Sequence, residues 1–187
     1  CWTQRLFILP IHAFYVVEIT MTDDNEDLGT IRRGADQFTA VLERQLDHPP
    51  AAVWAMLTEP GRLVEWLAPG TIELREGGAA KLDFGDSGII IDSTVTAFEQ
   101  ERIIEYSWSN PGEPLRPLRF EVEPGGDSCR LKLCLKTPGD EDIARSCAGW
   151  EAHLMMLMAA LEGVPIKFPF ERFQSSREAY NDMVPAA

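Results

Sequence analysis

The feature that most constrains the fold of this chain is a series of short alternating segments that leads into one long helical segment. Apolar and polar residues alternate through most of the stretch from residue 71 to residue 136, and glycine, proline and acidic residues interrupt it at short intervals. Alternation with a period of two is typical of strands with one buried face, and tight turns join neighbouring strands antiparallel. The predicted strands, with one earlier segment of the same pattern, are 38–46, 71–74, 79–84, 89–98, 102–108, 116–122 and 128–136.

The segment from residue 140 to residue 162 has a different period. Its apolar residues recur at spacings of three and four, which is typical of one face of an α-helix. Three acidic residues at 140–142 suit the helix N-terminus, where the macrodipole favours negative charge. Gly163 and Pro165 suit the end of the helix. The stripe expected to lie on the sheet comprises Ile143, Cys147, Trp150, Leu154, Leu157 and Leu161.

Two short helices are predicted after the first strand, at 51–57 and 62–67. Pro49 and Pro50 precede the first of them, and proline is tolerated there because the first helical N–H groups have no partner within the helix. Asp47 or His48 is expected to cap this helix. Together the elements predict an α+β fold, in which a curved antiparallel sheet of six to seven strands surrounds a long C-terminal helix.

The compact domain is expected to span residues 38–163. We interpret residues 1–37 as an N-terminal extension, and Met21, which opens a polar run, as the natural start. The alternative is that residues 14–17, which are rich in β-prone side chains, form an additional strand. The remaining residues, 164–187, are interpreted as a tail. Its expected short amphipathic helix carries Phe170, Phe173 and Tyr180 on one face.

The outer face of the long helix is also uncharged. A helix that is apolar on both sides is usually covered on both sides. We therefore predict that either the tail or a second copy of the chain, in a homodimer formed through helix 143–162, covers this face. The outer residues are Ala148, Ala152, Met155, Met156 and Ala159.

Composition argues against several classes of partner. The chain has 30 acidic and 17 basic residues and a formal net charge of −13, whereas nucleic acids and anionic membrane surfaces attract proteins with a positive footprint. No apolar run reaches the roughly 18 residues of a membrane span. Cys129, Cys134 and Cys147 form no Cys-x-x-Cys pair, and we interpret them as reduced packing residues of a cytoplasmic protein. The histidines are scattered, so neither a metal site nor a cofactor is expected.

Several landmarks, taken in order, resemble the family of the activator of heat-shock protein 90 ATPase. This family belongs to the START-like, or SRPBCC, superfamily, and the resemblance implies a helix-grip fold with a cavity beneath the long helix. It covers about residues 38–162. The long helix departs from the family in lacking a histidine shortly before Gly149, and the chaperone-gripping domain of the eukaryotic activator is not matched. The matching positions are 49–54, 58–60, Trp66, Pro69, 76–78, Gly88, Tyr106, Trp108, Gly149, Trp150 and Leu154.

Aromatic residues on the predicted inner faces are candidates for the wall of such a cavity. Trp54 and Trp150 are interpreted as core packing instead. His153, on the flank of the long helix, can contact a ligand, act as an acid or base, or simply hydrogen-bond at the helix edge. The expected ligand-binding residues are Arg44, Trp66, Phe84, Tyr106, Trp108, Phe120 and His153.

Arg44 faces inward by alternation with its apolar neighbours, and a buried arginine needs an anionic partner. Asp92, Glu105 or a ligand carboxylate are the candidates, and exposure of Arg44 at a bulge is the alternative.

Three functions are compatible with this sequence. The first is non-catalytic binding of a small hydrophobic molecule, of lipid or aromatic polyketide type, in an internal cavity. The second is a cyclase or hydrolase that uses His153 with Arg44 or Asp92. The third is a chaperone accessory or stress-response protein that acts through protein contacts.

Overall fold

The computed structural model describes residues 28–186, apart from the side chain of Asp86. Eight strands form one sheet in which all neighbouring strands are antiparallel. The strands are β1 (Thr30–Arg33), β2 (Gln37–Leu46), β3 (Gly70–Ile72), β4 (Ala79–Asp83), β5 (Ile90–Glu99), β6 (Ile103–Tyr106), β7 (Leu118–Gly125) and β8 (Ser128–Pro138). Their order in the sheet is β1-β2-β8-β7-β6-β5-β4-β3.

The sheet has one strand more than the six to seven expected from the sequence. The additional strand is β1, which pairs with β2 and lies within the segment assigned to the N-terminal extension. It has four residues, of which Ile31 alone is buried, so its alternating pattern is too short to be recognised. The proposals for Met21 and for a strand at 14–17 concern residues outside the described part of the chain.

Four helices accompany the sheet: α1 (Pro50–Thr58), α2 (Pro60–Trp66), α3 (Ile143–Leu161) and α4 (Phe170–Met183). The residue that caps α1 is Pro49, without a side-chain hydrogen bond, so the prediction that Asp47 or His48 caps this helix is wrong. Proline at the start of α1 removes an N–H that a cap would otherwise serve. His48 instead places Nε2 2.7 Å from Oε1 of Glu162, just beyond α3.

Helix α3 lies across the concave side of the sheet. Most of the stripe expected to face the sheet is buried, and Ile143, Cys147, Leu154 and Leu157 have almost no exposed surface. These side chains share one core with inward-facing residues of the central strands. The long helix gripped by a curved antiparallel sheet is therefore confirmed.

The tail packs along α3 through α4. Ala148 and Ala152, expected on the outer face of α3, are completely buried, whereas Met155 is 46% exposed. Tyr180 of α4 is also completely buried, but Phe170, at the first residue of the helix, is 60% exposed. The tail thus accompanies α3 while leaving part of its outer surface open to solvent.

Candidate ligand-binding cavity

A cavity of about 870 Å³ lies between α3 and the sheet. This volume falls within the range of roughly 300–1,000 Å³ that is common for small-molecule sites. The inner sheet surface contributes Ile91, Leu118 and Leu135, and the segment around α4 contributes Phe168, Phe170 and Phe173. Because Phe170 is largely exposed, the cavity opens to solvent beside the tail.

Helix α3 supplies one continuous side of the cavity. Residues facing it recur at helical spacings, from Arg145 and Ser146 through Gly149 to His153 and Met156. Gly149 sits in the middle of this row, and a Cβ built on it would meet no atom within 4 Å. The space that a side chain would occupy is therefore part of the cavity.

Aromatic rings form part of the same cavity lining as Gly149. We call Phe84, Trp108 and Trp150 the aromatic wall. The ring centroids of Trp108 and Trp150 are 5.3 Å apart, and those of Phe84 and Trp108 are 6.5 Å apart at nearly a right angle. Such tilted and edge-to-face contacts are favourable between aromatic rings. The aromatic wall thus offers a rigid, mainly apolar surface to a planar guest.

The backbone of Trp108 is held in an unusual conformation. Its φ angle is +47°, a value in the left-handed region that a bulky residue rarely adopts. The Trp108 N–H donates a hydrogen bond of 3.1 Å to Oγ of the buried Ser93, and Oγ of Ser107 lies 3.3 Å from that same hydroxyl. Strained backbone of this kind costs free energy and concentrates at functional sites. Here it coincides with a residue of the cavity lining.

His153 is the histidine of the cavity lining. Its ring lies among three aromatic rings, with centroids 6.0 Å from Phe84, 5.7 Å from Trp150 and 5.5 Å from Phe168. Nδ1 lies 3.0 Å from the backbone carbonyl oxygen of Trp66. A carbonyl oxygen can only accept, so Nδ1 carries a proton and donates. Burial lowers the pKa of His153, and the hydrogen bond to Trp66 opposes this in part.

Of the expected ligand-binding residues, Phe84, Trp108 and His153 line the cavity together. Trp66, Tyr106 and Phe120 lie behind its lining and are buried. They support the aromatic wall from behind, since Tyr106 contacts Trp108 and Phe120 contacts Trp150, with ring centroids 6.2 Å and 5.8 Å apart.

The polar groups of Trp66 and Tyr106 are both withdrawn from bulk solvent, and that of Trp66 is occupied within the protein. Nε1 of Trp66 donates a 2.8 Å hydrogen bond to the backbone carbonyl of Met56. Burial raises the pKa of the Tyr106 hydroxyl well above its usual range.

Arg44 is buried but lies away from the cavity. Its guanidinium pairs with the carboxylate of Glu151, on α3. The other oxygen of Glu151 accepts a 2.6 Å hydrogen bond from the hydroxyl of Tyr180. Neither Asp92 nor Glu105 is the partner of Arg44: Asp92 pairs with Lys81 on the surface at 3.6 Å, and Glu105 pairs with Arg119.

Much of the cavity lining was not assigned to it from the sequence, including Gly149, Trp150, Phe168 and Phe173. Trp150 belongs to the buried core, as its position on the sheet-facing stripe of α3 predicts, and it also lines the cavity. The signal for Gly149 was its place inside a long helix, where glycine is unfavourable and usually has a packing or functional reason.

The mouth of the cavity is charged. Arg116 and Glu141 form an ion pair of 2.8 Å there. Lys136 and Arg145 also belong to the lining, and within the described residues neither forms an ion pair.

Two structural findings concern other kinds of site. Among residues 28–186, no group of three or more His, Cys, Asp or Glu side chains comes together that could hold a metal ion. No helix in the same part of the chain is both long and apolar enough to cross a membrane.

A curved antiparallel sheet packed around one long helix, with a cavity between them, defines a helix-grip protein. The chain belongs to the family described as Activator of Hsp90 ATPase homolog 1-like protein, whose model matches residues 47–162. This assignment confirms the resemblance seen in the sequence. No curated protein matches the chain.

Solved structures share the fold. The crystal structure of CalU16 from Micromonospora echinospora is 23% identical, with a TM-score of 0.70 over 84% of this chain and 96% of CalU16. The protein encoded by gene BPP1335 of Bordetella parapertussis is 25% identical, with a TM-score of 0.65 over 83% of this chain and 90% of that protein. DynU16, described as a protein in the dynemicin biosynthetic locus, is 24% identical, with a TM-score of 0.62 over 68% of this chain and 48% of DynU16.

Proposed function

We propose that this protein binds a small, mostly apolar molecule with an aromatic body in the cavity beneath α3, without transforming it. The observation that carries the proposal is the open space at Gly149, in the middle of α3, in a cavity that the aromatic wall also lines. A helix of a packed core would fill this position with a side chain, because glycine lowers helix stability by about 1 kcal/mol relative to alanine. The missing side chain makes room for a guest.

Catalysis by His153 with Arg44 or Asp92 receives no comparable support. The guanidinium of Arg44 pairs with Glu151 away from the cavity, and Asp92 is on the surface beside Lys81. A catalytic set needs its members within hydrogen-bond reach of one substrate. A cytoplasmic location is part of the proposal and agrees with the free state of Cys129, Cys134 and Cys147.

The experiment fills the cavity from its helical side. Gly149→Leu adds a side chain that meets no protein atom near its Cβ and extends into the cavity. The matched control is Gly61→Leu in α2, because Gly61 is also helical, has open space at its Cβ and lies outside the cavity lining. Thermal unfolding is followed with β-naphthol, a fatty acid and a sterol as probes.

We expect β-naphthol to raise the Tm of the wild type and of Gly61→Leu but not of Gly149→Leu. A ligand at about 100 times its Kd stabilises the native state by about 2.7 kcal/mol, which is readily measured. Failure of every probe to raise the wild-type Tm overturns the proposal, as does equal binding by Gly149→Leu. A response to the fatty acid or the sterol alone rejects the aromatic part of the proposal.

A further inference from the structure

The protonation state of His153 has a consequence for the ligand. Nδ1 donates its proton to the Trp66 carbonyl, and burial lowers the pKa of the ring, so the imidazole is neutral at neutral pH. In a neutral imidazole with a proton on Nδ1, the second nitrogen, Nε2, is a hydrogen-bond acceptor.

Nε2 of His153 is available. Within residues 28–186 it has no hydrogen-bond partner, since the contact of Nδ1 with Trp66 is the hydrogen bond that His153 makes there. It also keeps accessible surface, because the fully buried side-chain polar atoms without a partner in this part of the chain are Trp54 Nε1, Thr137 Oγ1 and Ser176 Oγ. Because His153 belongs to the cavity lining, its free acceptor is placed among apolar rings.

A polar atom in such surroundings discriminates strongly between guests. Around it lie Phe84, Trp150 and Phe168, none of which donates a hydrogen bond to it. A guest that covers Nε2 without donating to it leaves a desolvated acceptor unpaired, which costs affinity. A carboxylate has no proton to donate and would place its charge against the lone pair. A hydroxyl donates and remains neutral.

We infer that the ligand is an aromatic molecule that carries a hydroxyl group, and that this hydroxyl donates a hydrogen bond to Nε2 of His153 while the ring stacks within the aromatic wall. This inference rests on the proposed function of the cavity. His153 acts as the residue that selects hydroxyl-bearing aromatics over aromatics without a donor.

The test compares β-naphthol with its methyl ether, which has the same ring system but no donor. Calorimetric titration is carried out on the wild type and on His153→Phe, which retains an aromatic ring and removes the acceptor. We expect the wild type to bind β-naphthol about tenfold more tightly than the ether, the difference that one hydrogen bond to a desolvated acceptor produces. His153→Phe should reduce this ratio to about one. The methyl group of the ether has the same size in both titrations. Comparing the affinity ratio of the wild type with that of His153→Phe therefore removes the steric effect of the methyl group.

His153→Phe also loses the hydrogen bond from Nδ1 to the Trp66 carbonyl. A second measurement therefore uses the wild-type side chain of His153. The ¹⁵N resonance of His153 Nε2 in the wild-type protein should shift on addition of β-naphthol and stay in place on addition of the ether. Gly149→Leu should abolish the shift.

The outcomes separate the inference from the function on which it rests. If the wild type binds both compounds equally well and Nε2 does not respond, the cavity binds aromatics but the role of His153 is rejected. If a tenfold ratio persists in His153→Phe, the donor is recognised elsewhere and the inference is overturned. If neither compound binds, both the inference and the proposed function fail.

Discussion

Tyr180 of the tail helix donates a 2.6 Å hydrogen bond to Glu151 in the centre of α3. The Tyr180 hydroxyl in turn accepts a 2.7 Å hydrogen bond from the backbone N–H of Gly29, just before β1. The carboxylate of Glu151 also pairs with Arg44 of β2, and Arg172 of α4 lies 3.7 Å from it. One buried carboxylate therefore joins the first two strands, the long helix and the tail.

This junction should be the most sensitive polar site in the protein. Glu151→Gln removes the negative charge that pairs with the buried guanidinium of Arg44, and breaking one partner of a buried ion pair typically costs about 3–5 kcal/mol. Tyr180→Phe removes two hydrogen bonds but no charge and should cost about 1–3 kcal/mol. Urea unfolding gives both values.

Arg102→Ala provides the control for these variants, because Arg102 pairs with Glu99 at 2.6 Å on the surface. Exposed pairs of this kind contribute at most about 1 kcal/mol. A loss for Glu151→Gln no greater than that of Arg102→Ala would contradict the view that the junction stabilises the fold.

A separate prediction concerns Gly149. Gly149→Ala should raise the free energy of unfolding by about 0.5–1 kcal/mol, because alanine is the better helix former and its Cβ enters open space. The cavity loses little volume, so binding of β-naphthol should persist. Thermal unfolding and titration of the same sample check both statements. Destabilisation by alanine would show that a neighbouring group occupies the space in solution.

The elements of this fold were largely predictable because they follow local rules. The alternation of apolar and polar residues predicted the ends of most strands to within one or two residues. The helical period predicted the buried stripe of α3 from Ile143 to Leu157. These patterns depend on neighbours in sequence. Strand β1 was missed because four residues with one buried side chain carry almost no periodicity.

The partner of Arg44 was not predictable in the same way. Alternation indicated that Arg44 faces inward, but Asp92, Glu105 and a ligand carboxylate were equally reasonable partners. Glu151 lies 107 residues away in sequence, and its selection depends on the rotation of α3 over the sheet. Which inward-facing side chains reach the cavity is equally hard to predict from the sequence. Alternation places Tyr106 and Trp108 on the same face of the sheet, but only Trp108, which has a positive φ, belongs to the cavity lining.

The positive φ of Trp108 predicts an unusual order of stability for the glycine and alanine variants at this position. At an ordinary site, alanine is more stable than glycine by about 0.5–1 kcal/mol, but at a positive φ the preference reverses. We therefore expect Trp108→Gly to be about 1 kcal/mol more stable than Trp108→Ala, although both lose the packing of the indole ring. At Tyr106, in β6, the ordinary order should hold. Urea unfolding of the four variants tests this, and the same order at both positions would contradict the left-handed conformation of Trp108.

His153 gives the protein a defined dependence of stability on pH. Burial, opposed in part by the hydrogen bond to Trp66, lowers the folded-state pKa below the ordinary value of 6.5. Between the lowered pKa and 6.5, the unfolded chain binds the proton more readily than the native protein, so stability rises with pH. The contribution of neutral His153 to the free energy of unfolding is complete above about pH 6.5. It is lost as the pH falls from there through the folded-state pKa, by at most about 1.4 kcal/mol per pH unit for one proton.

The measurement is the free energy of unfolding in urea between about pH 7.5 and pH 5, for the wild type and for His153→Phe and His153→Gln. Carboxylates titrate in all three proteins, so the contribution of His153 is the difference between the wild-type slope and the slopes of the variants. The wild type should lose more stability on acidification than either variant. Parallel pH profiles would mean that His153 takes up its proton as easily in the native protein as in the unfolded chain, and would contradict the lowering of its pKa by burial.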